Sequence, residues 1–147
     1  IMDINDNVKY PKLRTYKLFK REMRIESYLN NNLPKNIHRS IARFRLSSHN
    51  LYIELGRHKR PYVTADERIC KRCNENDIED EFHCLVNCTK WDAIRVDLFQ
   101  VCYVHIENFT VIHPKEQFLK IMINKNPELN YALGKFLNIV LKTDNIV

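Results

Sequence analysis

The chain has 147 residues, of which 44% are hydrophobic and 29% charged, and its net charge is +6. That hydrophobic content excludes a disordered chain, and no apolar run approaches the roughly 18 residues a membrane span needs. Only two glycines, Gly56 and Gly134, and five prolines occur, which argues against a turn-rich sandwich or barrel and for a mainly helical protein of one domain or two small ones.

The opening residues, IMDINDNVKYP, carry neither the apolar stretch of a signal peptide nor an Arg/Ser-rich transit pattern. They begin with Ile rather than Met, so the chain is expected to be a fragment of a longer protein or to carry an added residue before Met2. Charge then divides the chain. Residues 1–60 hold 14 Lys/Arg against 5 Asp/Glu, a balance of +9, and residues 61–147 hold 10 against 13, a balance of −3. A polyanion would be expected on the basic half.

Lys12 to Asn31 reads as helical. Leu13, Tyr16, Phe19 and Met23 recur at spacings of three and four after Pro11, and Ile25, Tyr28 and Leu29 continue the face after a bend. Asn30 to Asn32 break the pattern. Pro34 opens a second helix near Lys35 to Leu46, with Ile37, Ile41 and Phe44 inward. Leu51, Ile53 and Leu55 fit a short strand or a helical turn equally well. Gly56 to Pro61, containing Arg57, His58, Lys59 and Arg60, reads as an exposed basic turn. Thr89 can cap a helix running from Lys90 to about Val104, whose stripe is Trp91, Ile94, Leu98 and Val101. Pro114 starts another, with Phe118, Ile121 and Met122 inward. Asn126-Pro127 starts the last, burying Leu129, Leu133, Phe136, Leu137 and Val140.

Four of the five cysteines crowd into Ile69 to Cys88, ICKRCNENDIEDEFHCLVNC. An odd cysteine count without a secretory signal argues for a reducing, intracellular compartment, nuclear or cytoplasmic, and against a disulfide framework. Cys70-x2-Cys73 lets one tight turn aim two thiolates at a single point, and zinc accepts them in a tetrahedral site. A redox Cys-x2-Cys needs a strand leading into a helix, whereas turn-forming Asn74, Asn76 and Asp77 follow here. A helical pattern then begins near Ile78 and carries His83, Cys84 and Cys88. Three residues compete for two ligand places. On an ideal helix Cys84 and Cys88, four apart, share a face, while His83 and Cys88, five apart, diverge by more than a right angle. Helical geometry therefore favours a four-cysteine site without deciding the matter, because histidine is longer and the helix can fray at Cys88.

The stretch resembles the zinc-binding region downstream of the reverse transcriptase domain in non-LTR retrotransposon polyproteins. The matching pattern is Cys70-x2-Cys73, Glu81-Phe82-His83 and Cys88. Ser40 to His58, SIARFRLSSHNLYIELGRH, is similar to the segment that leads into those cysteines, and KLRTYKLFK and YLNNNLPK add to the likeness, which covers roughly Leu13 to Leu98. The resemblance implies that Cys70, Cys73, His83 and Cys88 are the zinc ligands and that Cys84 is a buried thiol. Lys71-Arg72 inside the first knuckle and Thr89 after the last cysteine depart from the family's usual small residue and proline, and neither removes a ligand. His38, His49, His58, His105 and His113 have no Cys or His at ligand spacing and are expected to hold no metal.

The resemblance further implies a region that holds template or target nucleic acid for an RNA-directed DNA polymerase, beside other domains of a parent polyprotein. The polymerase's paired aspartates are missing, since no Asp-Asp occurs anywhere in the chain. Asp92 to Asp97 has neither the Pro nor the Lys of a metal-dependent endonuclease motif, and there is no Walker loop. A non-catalytic module is therefore expected. It would comprise a basic helical segment over residues 1–60, a zinc knuckle over 61–90 and C-terminal helices over 91–147, forming one compact unit. Arg39, Arg43, Arg45, Arg57, His58, Lys59 and Arg60 are the candidate phosphate contacts, joined by Lys71 and Arg72 beside the metal; such contacts give affinity without base readout. The alternative is a structural or protein-interaction domain in which zinc serves folding only.

Overall fold

A computed structural model describes residues 13–20 and 24–142. Six α-helices run through it: α1 (Arg14–Phe19), α2 (Lys35–Arg45), α3 (Tyr52–Leu55), α4 (Asp92–His105), α5 (Pro114–Ile123) and α6 (Pro127–Val140). No strand occurs among the described residues; the only bridge in them is an antiparallel one between Ile69 and Ile78. No helix of the described residues is long and apolar enough to cross a membrane.

The second half follows its local signals closely. Pro114 and Pro127 occupy first-turn positions, where the missing N–H costs nothing. Before each sits a side-chain cap. His113 Nδ1 accepts from the Lys115 N–H at 3.1 Å, and Asn126 Oδ1 accepts from the N–H groups of Glu128 and Leu129 at 2.9 and 3.1 Å. Helix α6 then buries Leu129, Leu133, Phe136, Leu137 and Val140. It forms the centre of the molecule, because α2 and α4 both pack on it. Ile37, Ile41 and Phe44 of α2 face that core, as do Trp91 and Leu98 at and within α4. One cluster of buried side chains links Tyr28 to Leu141 and includes Cys70, Cys84 and Cys88, so the expected metal segment is part of the main core.

Three elements depart from the sequence-based expectation. The helix expected over Lys12 to Asn31 is confined to α1, followed by a 3-10 turn at Ser27–Asn30; Lys12 and Met23 lie outside the described residues. Glu26 ties the two pieces together: its carboxylate binds Lys20 at 2.9 Å and the buried Arg45 at 2.7 Å, while the Arg45 guanidinium lies 4.0 Å from the Phe19 ring centroid. Thr89 does not cap α4: it starts a 3-10 turn (Thr89–Trp91), and no side chain caps the helix at Trp91. Helical winding after the first cysteines starts at Glu81 rather than near Ile78. Ile78 is held back by pairing, since Cys70 N–H donates to Asp77 O at 2.8 Å and Glu79 N–H to Arg68 O at 3.0 Å. Asn76 takes a left-handed conformation (φ 59°) at the turn of this small loop, a conformation asparagine tolerates better than most residues.

A buried ionic network closes the N-terminal side. Arg14 of α1 donates to Glu54 at 2.6 Å and to both oxygens of Glu81 at 2.7 and 2.9 Å. Ser47 Oγ and His49 Nε2 each lie 2.9 Å from the same Glu81 oxygen. Burial pushes the Glu81 carboxyl upward, but the His49 hydrogen bond and the Arg14 charge outweigh it and hold the group at about 2.

Candidate metal centre

Two short pieces of chain bring four donors together. The first is the loop Cys70 to Asp77, whose ends are joined by the Cys70–Asp77 backbone bond. It offers the thiols of Cys70 and Cys73. The second is the turn His83–Asn87, which is wound as a π-helix. Its defining bond runs five residues, from Cys88 N–H to His83 O at 2.7 Å. Asp80 Oδ1 accepts from the His83 N–H at 2.8 Å and starts the turn.

The π winding brings His83 towards the side of the turn that carries Cys88. In an α-helix residues five apart diverge, but an i to i+5 closure stacks them along one face. The sulfurs of Cys70, Cys73 and Cys88 and a ring nitrogen of His83 consequently lie within 4.8 Å of one another, and the group could hold a metal ion. Cys70 and Cys88 Sγ are 3.8 Å apart, far beyond a disulfide bond, and all five cysteines are free. Cys73 Sγ and His83 Nε2 are 3.4 Å apart. Cys84 is outside the group: it is fully buried in the core, and desolvation pushes its thiol well above the ordinary range. The hydrogen bond with Cys88 and burial raise the Cys70 thiol, whereas the same contact lowers Cys88. A cation placed between these sulfurs could take the place of their protons.

The surroundings hold groups that the sequence reading missed. Glu79 is 1% exposed. One of its oxygens accepts from Cys70 Sγ at 3.2 Å and lies 3.3 Å from Arg72 Nε, while the other accepts from the Tyr52 N–H at 2.8 Å. Asp77 Oδ2 stands 3.6 Å from His83 Nδ1, on the far side of the ring from the nitrogen that meets Cys73. At that distance the acid acts on the ring through its charge rather than through a hydrogen bond. Arg95 of α4 reaches the carbonyls of the π turn. No periodicity argument could have found Glu79 and Arg95, because each is a charge buried in the core.

The candidate phosphate contacts divide into two groups. Arg39, His58, Arg60 and Lys71 are exposed, and Arg43 and Lys59 are half-buried. Arg43 Nε donates to Ser48 O at 2.9 Å, and Lys71 Nζ stands 5.0 Å from the Tyr52 ring centroid. The other three are structural, and their assignment as phosphate contacts is revised. Arg45 is buried, donating to Met122 O and Glu26 at 2.7 Å each. Arg57 is buried against Glu54 at 3.0 Å, so Gly56–His58 is a 3-10 turn whose first two residues face the core rather than an open basic loop. The Arg72 side chain is only 2% exposed, held between Glu79 and the Trp91 ring. Among the remaining histidines, His38, His49, His105 and His113 bond Asn31 O, Glu81, Glu128 and the Lys115 N–H respectively, and none joins a metal-ligating group.

No family model, no curated protein and no solved structure matches the chain.

Proposed function

We propose that the chain is a zinc-stapled, non-catalytic helical module that holds nucleic acid through backbone phosphates. The observation that carries the reading is the buried group of three cysteine sulfurs and one imidazole nitrogen. Soft thiolates with one imidazole are a zinc donor set. Zn–S bonds of about 2.3 Å and Zn–N bonds of about 2.0 Å give tetrahedron edges of roughly 3.8 Å between sulfurs and 3.6 Å between sulfur and nitrogen. The separations of 3.8 Å for Cys70–Cys88 and 3.4 Å for Cys73–His83 fit those edges, and all four atoms lie within 4.8 Å of one another. Four protein donors complete the shell and leave no position for a reacting water, which is the pattern of a structural site. Lys71 lies in the same loop as two ligands and is exposed. With Arg39, Arg43, His58, Lys59 and Arg60 it supplies the positive charge that a phosphate backbone would meet. The likeness to the zinc region of non-LTR retrotransposon polyproteins supports template or target nucleic acid as the ligand, and other parts of such a polyprotein as neighbours.

The test is a gel shift with duplex DNA and an RNA–DNA hybrid over a salt series. Binding should be weak, insensitive to sequence and steeply reduced by salt. Lys59→Glu with Arg60→Glu should weaken it and flatten the salt slope by roughly two, at about one counterion per phosphate contact. Arg57 is unsuited to this test because it is buried against Glu54, and its replacement by an acid would disturb the fold. A second reading, an interaction scaffold in which zinc serves folding only, is favoured by the internal pairing of Arg45, Arg57 and Arg72. No shift at low salt, or one unchanged in the double variant, would decide for the scaffold.

A further inference from the structure

Helix α4 carries a charge on its buried face. Arg95 is 4% exposed and lies between Trp91 and Leu98, both in the core. Its guanidinium is spent almost wholly on the turn that bears two of the metal donors. Nε donates to Leu85 O at 2.8 Å, and Nη2 donates to Cys84 O at 3.1 Å and Cys88 O at 2.8 Å. Nη1 is held by Asp92 Oδ1 at 2.7 Å, and the Phe136 ring centroid of α6 lies 5.9 Å from the guanidinium carbon.

Those carbonyls need a donor for a specific reason. A helical turn leaves its last carbonyls without intrahelical partners. Here the turn stops abruptly, because Cys88 is extended (φ −60°, ψ 117°), and Cys84, Leu85 and Cys88 are all buried. Water is therefore no ready substitute. A π turn is also rare in its own right and is frequent at functional sites. If this one relaxed to α geometry, His83 and Cys88 would diverge and Cys88 would face the same way as Cys84.

We propose that Arg95 is a positioning residue of the metal centre: its planar fork holds the Cys84–Cys88 backbone in the widened turn, so that His83 and Cys88 reach one ion. The proposal rests on the reading of Cys70, Cys73, His83 and Cys88 as ligands, and it adds a residue from outside the cysteine segment to the machinery that makes them converge. It also explains why a charge sits in the apolar face of α4. A lysine would supply one point charge in place of a fork that spans three carbonyls.

The experiment titrates zinc into the full-length chain against a chromophoric chelator, and records the absorption of the cobalt(II)-loaded protein. Arg95→Met and Arg95→Lys should each still take up one ion per chain but bind zinc roughly 10–100-fold more weakly, as is usual when a partner of a ligand is lost. Their cobalt ligand-field bands should shift in position and intensity, reporting a distorted donor set. Leu129→Val, a mild truncation of the α6 core, is the control; it should lower the melting temperature and leave affinity and spectrum as in the unmodified chain. Unaltered affinity and spectrum in both Arg95 variants, or changes matched by Leu129→Val, would overturn the positioning role. Failure of the unmodified chain to take up zinc or cobalt would instead overturn the metal reading itself.

Discussion

Replacing Gly134 with alanine sets two physical effects against each other, and the structure says which should win. In an exposed helix the change gains about 1 kcal/mol from propensity. Gly134, however, sits where α6 crosses α2. A Cβ there would stand 2.1 Å from Ile37 Cγ2, 3.2 Å from Ile37 Cβ and 3.3 Å from the Ile37 carbonyl oxygen. Ordinary carbon contacts begin near 3.5 Å, so the gap is short by about 1.4 Å. Ile37 is 4% exposed, and a β-branched side chain in a helix has essentially one χ1 rotamer, so it has nowhere to swing. The helices must separate instead. Overpacking of this kind costs about 1–3 kcal/mol, and so large a shortfall belongs at the upper end. The net loss should be about 2 kcal/mol, or roughly 4–8 °C in melting temperature for a chain of this size. Thermal melts followed by circular dichroism in saturating zinc would measure it. Ile37→Ala supplies the internal check, because it deletes the clashing methyl; in that background Gly134→Ala should cost much less, with only the 3.2 and 3.3 Å contacts to the Cβ and carbonyl oxygen of residue 37 left. A Gly134→Ala protein that melts above the unmodified chain would refute the close-crossing argument and leave propensity as the larger effect.

Three further outcomes concern the centre and its frame. His83→Ala should lower metal stoichiometry or affinity in a competition titration, while Cys84→Ser should keep one ion per chain; the reverse result would mean that the π turn is not the geometry of the bound state. Chelation should loosen residues 61–98, read by hydrogen exchange, because the metal's binding energy is folding energy for such a loop. Arg14→Met should cost about 3 kcal/mol in urea unfolding, since it leaves the buried Glu81 and Glu54 short of their shared cation; a change below about 0.5 kcal/mol would show that His49, Ser47 and Arg57 satisfy those acids alone.

Helical periodicity was legible without coordinates in three helices that open on a proline, and misleading after Pro11, where the same signals gave only a short helix. Residues 35–45, 114–123 and 127–140 wind as their spacing predicts, because burial of a stripe and local caps act over a few residues and are written in consecutive positions. The cysteine segment was half legible. Cys70 and Cys73 are joined by a short loop whose turn residues announce it. The pairing of His83 with Cys88 is not: ideal helical geometry favours Cys84, and only the widened turn, with Arg95 on its carbonyls from a helix that starts after it, brings His83 and Cys88 to one face. Which basic residues reach the surface was not legible either. Arg39 and Arg60 stay at the surface, while Arg45, Arg57 and Arg72 turn inward to Glu26, Glu54 and Glu79. A charge carries no periodic signal of its own. Whether it meets solvent or a buried acid depends on partners 19 positions away for Arg45, three for Arg57 and seven for Arg72, and the packing of the whole chain decides which of them arrive.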